Sequence, residues 1–136
     1  RPWRVGIRDP DSDNVAPGWM ASLETRGREA VVTSGTYERW RELDGERAAH
    51  ILDPHSGLPA QALVSVTVVH PSAALADAAA TALLVAGPQR WAAVAERLGV
   101  DQVLVIDPQR RALATDRLMA RLLPATAEWQ RRLRRA

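Results

Sequence analysis

The chain has 136 residues, 46% apolar and 25% charged, enough to bury one hydrophobic core and ordinary for a globular domain. Cysteine is absent, which excludes disulfides, thiolate metal sites and a cysteine nucleophile. All 18 basic residues are Arg, the formal net charge is only +2, and no apolar run has the length of a membrane-spanning helix.

Trp3 to Arg8 alternates apolar and charged residues and predicts a strand. Asp9 to Gly18, rich in Asp, Pro and Gly, predicts a loop. Met20 to Thr25 and Glu29 to Thr33 are expected as two strands joined in a hairpin around Gly27. Glu38 to Leu43 and Arg47 to Ile51 flank Asp44-Gly45, a strong signal for a two-residue hairpin turn. Leu63 to Val69, dense in β-branched residues, predicts a buried strand.

The texture then changes. Ser72 to Val85 is rich in Ala and Leu, with Ser72 placed to cap a helix and Gly87 to stop it. Gln89 to Leu98 predicts a second helix with Trp91, Val94, Ala95 and Leu98 along one stripe. Val103 to Ile106 reads as a strand ending in a turn at Asp107-Pro108, and Arg117 to Leu123 and Thr126 to Leu133 read as helices broken at Pro124. Strands first, helices later and a returning strand imply an α+β fold, an antiparallel sheet with helices packed on it. From Arg110 onward there are 8 Arg against 2 acids. With no interleaved aromatic series for base stacking, that charge reads as a solvated helical face and not as a nucleic-acid surface.

Three clusters carry side chains suited to chemistry. Asp77 and Thr81 are four apart on a helix, so they share a face, and a carboxylate with a hydroxyl offers the hard oxygens that Mg²⁺ prefers. The Ala residues around them leave room for close approach, although the same spacing also suits two polar groups on an ordinary helix. His50-Ile51-Leu52-Asp53-Pro54-His55-Ser56-Gly57 closes a strand and enters a turn shaped by Pro54 and Gly57. In it His50 can serve as general base or hydrogen-bond donor, and Asp53 can orient it or cap the turn. Thr33-Ser34-Gly35-Thr36-Tyr37 sets hydroxyls beside a glycine at a strand end, where a backbone can approach a phosphate or a ring. His70, before Pro71, reads as structural.

In order, these segments resemble the ApbE family of FAD:protein FMN transferases. The likeness runs through WRVGIRDP at Trp3 to Pro10, VVTSGTYER at Val31 to Arg39, the turn at Asp44 to Glu46, HILDPHSGLP at His50 to Pro59, VSVTVV at Val64 to Val69 and ADAAATAL at Ala76 to Leu83. It covers about the first hundred residues. The resemblance implies Mg²⁺-dependent transfer of FMN from FAD, the substrate, to a Thr or Ser hydroxyl of an acceptor flavoprotein, releasing AMP. It implies Asp77 and Thr81 as metal ligands, Ser34, Gly35, His50 and Ile51 as cofactor-binding residues, and His50 as the catalytic group that activates or positions the acceptor hydroxyl.

The resemblance also implies that this chain is the C-terminal half of such an enzyme. Residues 1–112 would form the flavin and metal portion, and 113–136 an Arg-rich helical tail packed on it. In the family the N-terminal half supplies much of the FAD pocket and a further metal ligand. The partner is thus that half, or a second chain taking its place in a homodimer. The family's habit is extracytoplasmic, with a cytoplasmic location also open. The alternative is a non-catalytic homologue that binds flavin or another protein. Departures from the family's loop are His55 for a basic residue, Ser56 for Thr and Leu58 for Tyr.

Overall fold

The β-branched run Val64 to Val69 becomes the strand around which the rest is layered. A computed structural model describes residues 1–10, 18–37, 39–43 and 45–136. In chain order the elements are β1 (Arg4–Arg8), β2 (Trp19–Glu24), β3 (Ala30–Gly35), β4 (Trp40–Leu43), β5 (Glu46–Ala49), β6 (Ser65–His70), α1 (Ala73–Ala86), α2 (Trp91–Leu98), β7 (Val103–Ile106), β8 (Ala112–Ala114), α3 (Asp116–Met119), β9 (Leu123–Pro124), α4 (Ala127–Arg132) and β10 (Leu133–Arg135).

Five strands form the main sheet in the order β10-β8-β7-β6-β3, antiparallel except for the β10–β8 pair. A second sheet has the order β1-β2-β9, and β4 pairs with β5 alone. The fold is α+β, as the order of elements predicts. Side chains alternate across a strand, so β6 and β7 feed two cores. Val66, Val68, Val103 and Val105 pack with Leu83, Leu84 and Trp91 from the helices. Val69, Leu104 and Ile106 pack on the other face with Ile7, Met20 and Leu23 of the second sheet and with Leu118, Trp129 and Leu133. Burial on both faces is why these central strands read as continuous apolar runs and not as alternating ones.

α1 is specified at both ends. Ser72 Oγ accepts from the Leu75 N–H at 3.3 Å, and Gly87, at φ 75°, closes the last turn. Its buried residues include Ala76, Ala79 and Ala80, small enough to seat the helix closely on β3 and β6, while Asp77 and Thr81 stay exposed. In α2, Trp91 and Ala95 are buried and Val94 packs partly against the core, but Leu98 is 37% exposed and leaves the expected stripe.

The structure corrects the sequence reading at several points. The strands on either side of Gly27 do not form a hairpin: β2 pairs with β1 and β9, and β3 pairs with β6. Gly27 does turn the chain, at φ 65°, but β3 finds its ladder along β6, where Val32 packs against one core and Val31 against the other. The helix expected to Leu123 stops at Met119, and Leu123–Pro124 pairs with β2. Pro124 sits on an edge strand, where its missing N–H costs no ladder bond. The last expected helix gives way at Leu133 to β10, and β8 has no counterpart in the expected elements. β4 and β5 pair as the expected hairpin, with Leu43 opposite Glu46 and Gly45 at φ 82°. Glu38, Asp44 and most of the Asp9–Gly18 loop lie outside the described residues.

Candidate functional site

An open cleft of about 800 Å³ lies where the end of β3, the start of the His50 loop, the exposed face of α1 and β1 meet. Ser34, Gly35, His50, Ile51, Asp77 and Thr81 all line it, so the three clusters singled out in the sequence converge on one space. Gly6, Arg8, Arg39 and Leu52 line it as well, and sequence reasoning did not pick them out as site residues. Nothing local marks Arg8 or Arg39, because a cation at a strand end is ordinary.

The antiparallel register places Gly35 opposite Ser65 and Ser34 opposite Val66, which brings the end of β3 beside α1. There Ser34 Oγ and Thr81 Oγ1 are hydrogen-bonded at 3.0 Å, and Thr81 Oγ1 also lies 3.4 Å from the Asp77 carbonyl, to which it donates. Below them Thr33 and Thr67 share a hydroxyl–hydroxyl bond of 2.8 Å across the two strands. The Asp77 carboxylate is exposed to the cleft, and no hydrogen bond or ion pair engages it among the described residues. A side-chain carbon on Gly35 would meet Tyr37 Cε1 at 2.6 Å, so the glycine lets the Tyr37 ring lie directly on the strand. The Arg8 guanidinium lies over that ring, 5.7 Å from its centre.

His50 is held by the residue just before β4. Its Nδ1 lies 2.9 Å from the Arg39 carbonyl, and its own N–H donates to the same oxygen at 3.2 Å. A carbonyl can only accept, so Nδ1 carries the proton, and a neutral imidazole in this position has its lone pair on Nε2. That is the tautomer a general base needs.

Asp53 takes the other of its two roles. Its Oδ1 accepts from the His55 N–H at 2.9 Å and its carbonyl from the Gly57 N–H at 2.7 Å, so it caps the turn and does not orient His50. His55 and Ser56 are outside the cleft lining, and Ser56 Oγ accepts from the Leu58 N–H at 3.2 Å. His70 Nδ1 accepts from the Ser72 N–H at 3.0 Å, a structural bond at the entry to α1.

The cleft therefore sets Arg8 and Arg39 against one carboxylate, a bias toward ligands carrying negative charge. Asp77 and Thr81 fit a hard divalent cation by donor type. Among the described residues no group of three His, Cys, Asp or Glu completes a metal site, so the chain offers part of a coordination shell.

Residues 1–104 match the ApbE family, and the chain belongs to it. It is 44% identical over 122 residues to a protein of Rhodobacter capsulatus named FAD:protein FMN transferase, covering 90% of this chain and 23% of that protein. A protein of the same name from Escherichia coli K12 is 43% identical over 101 residues, covering 73% of this chain and 28% of the relative. The chain thus spans about a quarter of the length of these relatives. Among solved structures, the ApbE protein of Thermotoga maritima aligns with a TM-score of 0.74 at 33% identity, over 88% of this chain and 38% of that one. The flavin transferase ApbE of Vibrio cholerae aligns with a TM-score of 0.65 at 35% identity, over 88% and 38%.

Proposed function

We propose that this chain carries the metal-facing and flavin-facing side of an FAD:protein FMN transferase, working with the remainder of such an enzyme. The observation that carries the reading is the convergence of Ser34, Gly35, His50, Ile51, Asp77 and Thr81 on one cleft, with the Ser34–Thr81 bond joining the two walls. The names of the relatives supply the substrate, FAD, and the product, a protein-linked FMN.

In this reading an acceptor Thr or Ser hydroxyl attacks the FMN phosphorus of FAD. The bond from that phosphorus to the bridging oxygen breaks, and AMP leaves with the oxygen. His50 Nε2 takes the hydroxyl proton, because Nδ1 is committed to the Arg39 carbonyl. Asp77 and Thr81 would hold Mg²⁺, which supplies charge neutralisation to the diphosphate and the leaving phosphate. Gly35 and Ile51 give the flavin ring a close backbone and an apolar side, and Arg8 and Arg39 bias the cleft toward the anionic diphosphate.

The test is mass spectrometry of an acceptor peptide incubated with FAD, Mg²⁺ and the full protein. An adduct of the FMN mass that needs Mg²⁺ is the expected result. FAD bound but never turned over would instead favour the flavin-binding homologue, and neither binding nor turnover would remove the transferase reading.

A further inference from the structure

Residues beyond the family match are tied to the segment beside the cleft through one carboxylate, that of Asp9, next to the cleft-lining Arg8. The match ends at position 104, yet Trp129 is 3% exposed and its indole Nε1 donates to Asp9 Oδ2 at 2.9 Å. Arg110 Nη2 donates to both oxygens of Asp9, at 3.0 and 3.2 Å. The guanidiniums of Arg110 and Arg132 each lie 5.4 Å from a Trp129 ring centre. Arg110 reaches this position from φ 60°, a left-handed backbone that costs free energy for a residue with a side chain. The turn before it is fixed by Arg110 N–H to the Asp107 carbonyl at 2.9 Å and Arg111 N–H to Asp107 Oδ1 at 2.9 Å.

Asp9 follows Arg8 directly, and the β1–β2 register shifts between Ile7 and Arg8. Such a shift re-aims the next side chain, and among the described residues β1 is an edge strand that pairs with β2 alone. The Asp9 side chain, only 16% exposed, anchors this end of β1 in the grip of the C-terminal segment. Arg8 in turn lies over Tyr37, whose ring rests on Gly35 in the cleft wall.

We propose that the segment from Arg110 to Leu133 is a positioning element for the cleft. Through Asp9 it fixes Arg8 where the guanidinium meets the phosphate of an incoming nucleotide. The nucleotide's identity as FAD rests on the proposed function; the clamp itself rests on the Asp9 contacts. Asp9, Arg110 and Trp129 are positioning residues, and Arg8 is the group that touches the ligand.

The experiment uses the full protein and reads FAD affinity by flavin fluorescence, KM and kcat for FMN transfer, and Tm. Asp9→Asn weakens the grip on Arg110 while keeping shape, and Trp129→Phe keeps a ring for both guanidiniums while removing the indole donor. Each is expected to raise the FAD dissociation constant and KM, by roughly tenfold for Asp9→Asn, with kcat nearly unchanged, since one charge-assisted bond to phosphate is at stake. Neither effect is expected to add to that of Arg8→Gln in the double variants, because all act through one guanidinium. Val94→Ala, which trims the helical core away from the cleft, serves as the control for general destabilisation and should lower Tm without moving FAD affinity. Unchanged affinity in Asp9→Asn and Trp129→Phe overturns the proposal, as does full additivity with Arg8→Gln or an equal loss in Val94→Ala. A wild-type protein that takes up no FAD overturns the transferase reading and this inference with it. A wild type that binds FAD while the clamp variants bind equally well overturns the inference alone.

Discussion

Ser34 and Thr81 are 47 positions apart, yet their hydroxyl oxygens lie 3.0 Å from one another, hydrogen-bonded across the joint between β3 and α1. The bond fixes the hydroxyl of Thr81, one candidate metal ligand, relative to the strand end that would border the flavin. It also leaves the Asp77 carboxylate, one turn earlier on the same helix face, as the exposed acid of that wall.

Asp77→Ala is expected to abolish Mg²⁺-dependent FMN transfer while leaving the fold in place. Asp77 is exposed and Ala is a better helix former, so the stability change should fall within about 0.5 kcal/mol. The checks are Tm by calorimetry and adduct formation by mass spectrometry across a Mg²⁺ series. Transfer that keeps its wild-type Mg²⁺ dependence would remove Asp77 from the metal assignment.

The sequence made some of this legible and hid the rest for identifiable reasons. α1 was readable because Ser72, the Ala-rich run and Gly87 mark cap, body and stop within one segment, and all three signals are local. Asp77 and Thr81 followed as a pair on its face, whereas their meeting with Ser34 depends on the β3–β6 register, a non-local fact. The hairpin expected at Gly27 failed because a glycine turn does not say which partner a strand will choose. β9 and β10 are two and three residues long, too short for a periodic signal, and exist because β2 and β8 offer open edges. The Arg-rich tail looked like a solvated face, but Arg110 and Arg121 are committed to Asp9 and to Glu29, acids about a hundred positions earlier. Arg8 shares the cleft-facing side of β1 with Gly6, two residues earlier, but which side of that strand meets the cleft is a tertiary fact that no spacing predicts.

Gly35→Ala tests the close packing of Tyr37 on β3. The new carbon would sit 2.6 Å from Tyr37 Cε1, so the ring must move, and the Arg8 guanidinium above it must move too. Because the displaced atoms belong to a side chain, the fold should survive at a cost of about 1–3 kcal/mol. FAD affinity is expected to fall by more than that loss of stability explains, and titration of flavin fluorescence at a temperature where the variant is fully folded measures it. Wild-type affinity in a folded variant would show that the Tyr37–Gly35 contact does not shape the ligand site.

Ser72→Ala removes the side-chain cap of the helix that carries Asp77 and Thr81. The lost Oγ acceptor leaves the Leu75 N–H without its partner, which costs about 1 kcal/mol, or roughly 3 °C in Tm for a chain of this size. Ser72→Asp should restore stability, since a carboxylate accepts the same bond and favours the helix N-terminus. A Tm unchanged in Ser72→Ala would mean that packing of Ala76, Ala79 and Ala80 alone holds this end.

Glu29 and Arg121 form the most deeply buried ion pair among the described residues, with side chains 7% and 5% exposed. Arg121 donates to Glu29 at 2.5 and 3.2 Å, to Gln102 Oε1 at 2.5 Å and to the Glu24 carbonyl at 2.8 Å, joining β2, the β2–β3 turn and the approach to β7. Burial pushes the Glu29 carboxyl up, but the Arg121 hydrogen bond, the Arg26 N–H at 2.6 Å and the charges of both arginines outweigh it and hold the group below 4.5. A carboxyl whose folded pKa lies below its unfolded one stabilises fully above the unfolded value. That stabilisation is lost as pH falls through the lower folded one. Glu29→Gln leaves the buried guanidinium without its counter-ion and is expected to cost about 3 kcal/mol near neutral pH, on the order of 10 °C in Tm. Below the ordinary glutamate range, from about pH 4.5 downward, the wild type should lose stability faster than the variant, so the Tm gap narrows. Calorimetry of both proteins between about pH 7 and about pH 3 reads this directly. A gap that stays constant to the acid end would mean that Glu29 is not the acid-labile member of this network.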